Sequence, residues 1–227
     1  MIEVPVQQIK SIPALLGEVD VLKAIQLLPG VQSSEGSSGF YVRGGGPDQN
    51  LILLDGVPVY NVSHIGGLFS VFNADAIKNV SLIKGGMPSN YGGRLSSVLN
   101  ITMKDGNYKS FQADGGIGVI ASRLTLQGPI KEDTASYIIS GRRTYIDVLA
   151  EPFIPETSPS KGSGYYFFDL TAKLNWRLSD KDRFLSWYNT THIFLKTSKS
   201  NILKKEKSHI KKDLSSQTAI ARVVSSW

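Results

Sequence analysis

The sequence has no cysteine, which excludes disulfides, thiolate metal sites and cysteine nucleophiles. It has three histidines, His64, His192 and His209, far apart and without HExxH or comparable ligand spacing. No run of about 18 apolar residues occurs, so no segment reads as a transmembrane helix. Met1–Gly17 lacks both the basic start and the apolar centre of a signal peptide, so either the protein is not exported or its natural start lies upstream. There is no GxxxxGK[ST] phosphate loop and no GxSxG elbow. No metal or cofactor is expected, and no motif of the sequence points to a catalytic group, which makes an enzyme the remotest reading.

What is present divides in two. Apolar residues make up 41% of the 227, enough for a packed core. The 22 glycines cluster in residues 36–46, 85–93 and 115–118, a distribution that suits tight turns. Residues 1–104 hold 7 basic and 7 acidic side chains, whereas residues 105–227 hold 18 and 12 and carry the whole net charge of +6. We therefore expect two domains, 1–104 and 105–227.

The first half reads as a small α+β unit. Asp20–Gly30 predicts a short helix with Val21, Leu22, Ile25 and Leu28 on one face, Asp20 as its cap and Pro29-Gly30 as its stop. Phe40–Arg43 predicts a strand. Leu51–Leu54 and Val57–Tyr60 flank Asp55-Gly56, a strong hairpin signal, because a type I′ turn needs φ > 0 at both central residues. Asn73 caps one turn around Ala74–Lys78, and Val80–Ile83 and Ser97–Met103 follow as strands.

Six pieces stand here in a particular order: Leu28-Pro29-Gly30-Val31, Val42-Arg43-Gly44, Leu53-Leu54-Asp55-Gly56-Val57-Pro58-Val59, Leu82-Ile83-Lys84-Gly85, Tyr91-Gly92-Gly93-Arg94 and Val98-Leu99-Asn100-Ile101. In that order they resemble the plug domain of TonB-dependent receptors, over about residues 15–104. The runs Arg43–Asn50 and Tyr91–Ser97 resemble the Bacteroidetes-type branch. Two positions depart from the family: Ser81 stands where a Glu is common, and Gly86 where a Pro is common. No TonB box is visible.

The second half alternates. Phe168, Leu170, Ala172, Leu174 and Trp176 interleave with Asp169, Thr171, Lys173, Asn175 and Arg177. Leu124, Leu126, Gly128 and Ile130 do so with Arg123, Thr125 and Gln127, and Ala219–Trp227 more loosely with Arg222 on the polar side. Phe111–Val119, Ser136–Tyr145 and Arg183–Phe194 are further strands. Periodicity alone fits both a soluble sheet with one wet face and a barrel wall with lipid outside. Behind a plug, it implies antiparallel strands of an incomplete transmembrane β-barrel. Plugged barrels use about 22 strands. About six cannot close one, so the chain is expected to be a fragment, insoluble or partly folded when expressed alone.

The resemblance implies energised uptake of an extracellular solute (glycan, peptide or metal chelate) through a barrel in the outer membrane, gated by a plug in its lumen. The partners it implies are the TonB-ExbB-ExbD complex, engaging a segment upstream of this chain, outer-membrane lipid and a surface lipoprotein. In the family, the loops matching Gln32–Gly39 and Asn61–Gly67 point outward, which makes Glu35, Ser37, Asn61 and His64 candidate solute contacts. Arg43 and Arg94 are candidate anchors of the plug to the wall. The basic run Lys204–Lys212 has no interleaved aromatics and reads as a solvated loop, so nucleic acid is not an expected partner. Two other functions fit less of the sequence: a soluble β-rich binding or adhesion module, and a signalling receptor of the same architecture.

Overall fold

The structure is a computed structural model that describes residues 1–12, 17–33, 39–64, 67–158, 161, 163–196 and 216–225. The chain divides into two compact units, Met1–Lys104 and Asp105–Trp227.

The first unit is built on a five-stranded mixed sheet. Its strands are β1 (Ile2–Pro5), β4 (Asn50–Leu54), β5 (Val57–Pro58), β8 (Ile77–Lys84) and β9 (Ser97–Met103), in the order β1-β8-β9-β4-β5. The β4–β9 pair is parallel and its neighbours are antiparallel. Alternation puts Leu82 and Val80 beside Leu99 and Ile101, all at 0% exposure. On the opposite face Leu53, Ile83 and Val98 form a second cluster, flanked by Leu51, Met87 and Tyr91. Two short helices, α1 (Val6–Lys10) and α2 (Val21–Gln26), bury Val6 and Ile9, and Val21, Leu22, Ala24 and Ile25. Two small hairpins complete the unit: β2 (Val31–Ser33) with β3 (Phe40–Val42), and β6 (Ser63–His64) with β7 (Phe69–Ser70).

Local chemistry sets these elements. Asp20 caps α2 by accepting from the backbone of Leu22 at 2.8 Å and Lys23 at 3.0 Å. The helix stops at Gln26, earlier than the sequence suggested, and Leu28 falls outside it. Asn73 caps a 3₁₀ turn at Ala74–Ala76 instead of an α-helical one. The expected hairpin forms with Asp55 at φ 48 and Gly56 at φ 81, as a type I′ turn requires. Asp55 also accepts from the Met103 amide at 2.9 Å, which fastens the turn to β9. At Gly86, φ is 60, a value that the proline common in the family cannot adopt.

The second unit is a six-stranded antiparallel meander of β10 (Gln112–Ile117), β11 (Ala121–Lys131), β12 (Ala135–Thr144), β13 (Gly164–Arg177), β14 (Asp182–Lys196) and β15 (Ser216–Ser225). A short helix α3 (Ile146–Ala150) lies between β12 and β13. All six strands expected from alternation are present. The turns 132–134 and 178–181 are short and share one end of the sheet. The connections 118–120, 145–163 and 197–215 share the other end, and two of them are long. The basic run Lys204–Lys212 lies outside the described residues.

The sheet is built the opposite way round from one in a water-soluble protein. Asp169, Thr171, Lys173 and Asn175 of β13 are buried, while Leu174 and Trp176 of the same strand are 45% and 47% exposed. On β11, Thr125 and Gln127 are buried and Leu124 is 53% exposed.

Gly106, which leads into β10, has φ 85 and lies against the Tyr137 backbone of β12: a Cβ would stand 2.8 Å from that carbonyl carbon. Gly92 has open space around the same position. We therefore expect Gly106→Ala to cost about 1–3 kcal/mol through the clash, beyond the backbone strain. Gly92→Ala should be near neutral. Thermal unfolding of the two variants, followed by loss of the compact band on unheated gels, checks the contrast.

Candidate functional site

The candidate solute contacts lie in two loops of the first unit. Glu35 and Ser37 lie outside the described residues. Asn61 is exposed, just before β6. His64 was expected in an open loop but is 1% exposed, because it belongs to β6 and pairs with Phe69 of β7. The β6–β7 hairpin is held to α2, since the Ser70 amide donates to Asp20 at 2.5 Å. One carboxylate thus caps a helix and fixes the hairpin beside Asn61. Sequence reasoning saw only the first role, because the second spans fifty residues.

Arg43 and Arg94 differ in setting. Arg43 is exposed and has φ 48, followed by Gly44 at φ 84. With Val42 and Gly45 bonded reciprocally at 3.2 and 2.9 Å, they form a tight turn of the same hand as the Asp55 hairpin. The Arg43 guanidinium lies across Gly85, with Cζ 3.4 Å from where a Cβ would stand. Around this turn, Asn50 donates to the Phe40 carbonyl at 2.7 Å and Ser96 to the Val42 carbonyl at 2.8 Å. The Gly44-Gly45-Gly46 run is therefore turn geometry tied down by polar side chains. Arg94 is half-buried.

The second unit carries its polar groups on one face, where cross-strand register joins them. Arg142 and Asp169, opposite each other on β12 and β13, form an ion pair through Nε at 3.0 Å and Nη2 at 2.5 Å, with both side chains 2% exposed. Thr191 donates to the other oxygen of Asp169 at 2.7 Å. Arg142 also lies 5.2 Å above the Phe167 ring. Thr125 bonds Ser140 at 2.6 Å, and Thr171 donates to Asn189 at 2.8 Å. A buried carboxylate needs such partners to stay charged.

At the short-turn end the network gathers on Asp105, the first residue of the unit. Its carboxylate takes ion pairs from Lys173 at 2.9 Å and Arg183 at 3.0 Å, and its backbone carbonyl accepts from Ser136 at 2.6 Å. Arg183 also donates to Asn175 at 2.6 Å and to the Tyr108 hydroxyl at 3.0 Å. Residues 105–108 are thereby fixed to β12, β13 and β14. The sequence singled out Lys173 by its place in the alternation. Asp105 and Arg183 carry no such signal, because their pairing links residues 78 apart. Burial alone would raise the Asp105 pKa, but the bond and charge of Lys173, with Arg183 behind it, outweigh that and hold it below the ordinary 3.8.

A carboxylate held low contributes stability that is full above its unfolded value and lost as pH falls through the folded one. Asp105→Asn should therefore lower the unfolding temperature at pH 7, and the gap from the unaltered protein should shrink as pH drops below about 4. Melting curves across that range check the sign; an unchanged gap at low pH would remove Asp105 as the cause.

Comparison with known proteins follows the division into units. Residues 4–97 match the family described as TonB-dependent Receptor Plug Domain. No curated protein matches the chain. Among solved structures, the siderophore receptor PirA from Acinetobacter baumannii is 21% identical over 86% of this chain and 31% of its own, with a TM-score of 0.62. A ferric enterobactin receptor (PfeA) mutant from Pseudomonas aeruginosa is 19% identical over 89% and 35%, with a TM-score of 0.59. The alcaligin outer-membrane receptor FauA from Bordetella pertussis is 15% identical over 84% and 31%, with a TM-score of 0.56. The chain spans about a third of the length of these structures and shares their fold across both units.

Proposed function

We propose that this chain, whose N-terminal unit is a TonB-dependent receptor plug domain, is part of an outer-membrane receptor that gates energised uptake of an extracellular solute. The observation that carries the reading is a plug followed by a sheet with its apolar face outward. A soluble adhesion module would leave Leu124, Leu174 and Trp176 of the same face in water, at about half exposure each. In hydrocarbon the same face needs no cover, and the antiparallel ladder satisfies the backbone of β11–β14, with further strands of a closed barrel needed at β10 and β15.

In this reading the plug fills the lumen of a closed barrel in the outer membrane. The TonB-ExbB-ExbD complex engages a segment upstream of the plug and remodels it to open a path. No bond of the solute is broken. The loops Gln32–Gly39 and Asn61–Gly67 meet the solute, with Glu35, Ser37 and Asn61 as polar contacts. His64, being buried, joins them only when the β6–β7 hairpin opens. Arg43 and Arg94 pair with acidic groups of the wall. Metal chelates are the first solutes to screen, because matched structures include siderophore and copper transporters. The Bacteroidetes-type glycine runs keep glycans and peptides, and a surface lipoprotein partner, as the next to test.

The test uses the full receptor. Shortening both loops should weaken solute binding about tenfold, the loss of one or two polar contacts. Deleting the energising complex should abolish uptake and leave binding intact. Unchanged binding after both loops are shortened would move the solute site elsewhere; uptake that persists without the complex would overturn the transport reading.

A further inference from the structure

The outward face of the sheet carries almost no charge. By register it presents Ala113, Gly115 and Ile117 on β10, Leu124 and Leu126 on β11, and the even-numbered residues of β13 and β14. Away from the short-turn end, the register gives this face one full charge among the side chains described on β10–β14: Arg143 on β12. It is a cation and lies at the end with the long connections.

Arg143 is exposed and is held in place. Its guanidinium carbon sits 5.1 Å over the Tyr166 ring. Tyr166 stacks on Phe194 at 4.7 Å between centroids and 10° between planes, and His192 lies 6.3 Å from Phe194. Phe168 pairs with Arg143 on one side and His192 on the other. A second aromatic group, Trp176 opposite Phe184, closes the far end of the face. The ten residue steps from Tyr166 to Trp176 span about 33 Å along the strand, or roughly 25 Å of membrane at a tilt near 40°. That is the height of the apolar band between the two aromatic girdles of a barrel. Arg143 therefore stands at the upper edge of the band, where a cation meets headgroups instead of acyl chains. Short turns mark the periplasmic side, so the leaflet is the outer one.

Resting on the barrel reading above, we propose that this patch binds the phosphorylated headgroup of an outer-leaflet lipid, with Arg143 as the phosphate-binding group. A planar guanidinium offers paired donors to phosphate oxygens, and the Tyr166 ring fixes its plane while leaving its edge free. Tyr166, Phe168 and Phe194 form the apolar floor on which the upper acyl chain lies. Asp147 of α3 packs on Gly164 at the start of β13.

The experiment places the full receptor in nanodiscs of phosphatidylcholine doped with lipid A and counts retained lipid by native mass spectrometry. Arg143→Gln should lower lipid A retention about fivefold, the effect of one cation at a membrane surface. Arg143→Lys should recover part of it, and Arg177→Gln, at the short-turn end, should leave retention unchanged. Inorganic phosphate should not compete, which separates a lipid site from a free-anion site. Equal retention by Arg143→Gln and the unaltered receptor overturns the proposal while leaving the barrel intact. If Arg143→Gln fails to insert, Tyr166→Leu takes its place, with reduced retention expected and unchanged retention contrary. A receptor that enters no nanodisc at all would instead overturn the barrel reading, and this site with it.

Discussion

A β-strand turns successive side chains to opposite faces, and the second unit uses that period to separate two solvents. From β11 to β14 its ladder pairs the backbone on both sides, so neither face has to supply water there. One face is then free to be apolar and uncovered, as Leu124, Leu174 and Trp176 are, while the other concentrates polar groups. Everything else in the unit follows from that division. The buried Arg142–Asp169 pair can exist because both residues fall on the polar face of adjacent strands. A slip of β13 by one residue would put Asp169 among the apolar side chains and leave Arg142 without it on the polar face.

The first unit obeys a different constraint. It is small and rich in turns, and its strands are short, so polar side chains hold its loops where packing cannot. Asp20, Asp55, Asn50 and Ser96 each accept from or donate to backbone far from their own position. Turns with two left-handed residues recur, at Arg43-Gly44 and Asp55-Gly56. The unit is thus held by point contacts around its core rather than by packing alone. Asp105 marks where that regime ends, since its ion pairs belong to the wall of the second unit.

The parts of the fold visible in the sequence are those with local causes. The Asp55-Gly56 turn, the caps at Asp20 and Asn73 and the alternation of β13 each depend on neighbours within about ten residues. The strands β1, β2, β6 and β7 have two to four residues, too few for periodicity to register. His64 looked like a loop residue because its strand is two residues long, yet pairing with β7 buries it. Arg43 invited attention as a charge in a glycine-rich run, but its left-handed backbone is invisible without the turn. The network on Asp105 was beyond reach for another reason: alternation says which face a residue occupies, and not which partner across the sheet it finds.

The two faces carry a reporter each. Trp176 lies outward at 47% exposure, and Trp187, paired with Lys173, lies on the polar face at 6%. Receptors keeping a single tryptophan at either position, with the others changed to phenylalanine, can be reconstituted in bilayers with brominated acyl chains. Strong quenching of Trp176 with little effect on Trp187 is the result this account predicts. Equal quenching of both, or quenching of Trp187 alone, would contradict the assignment of lipid to the apolar face.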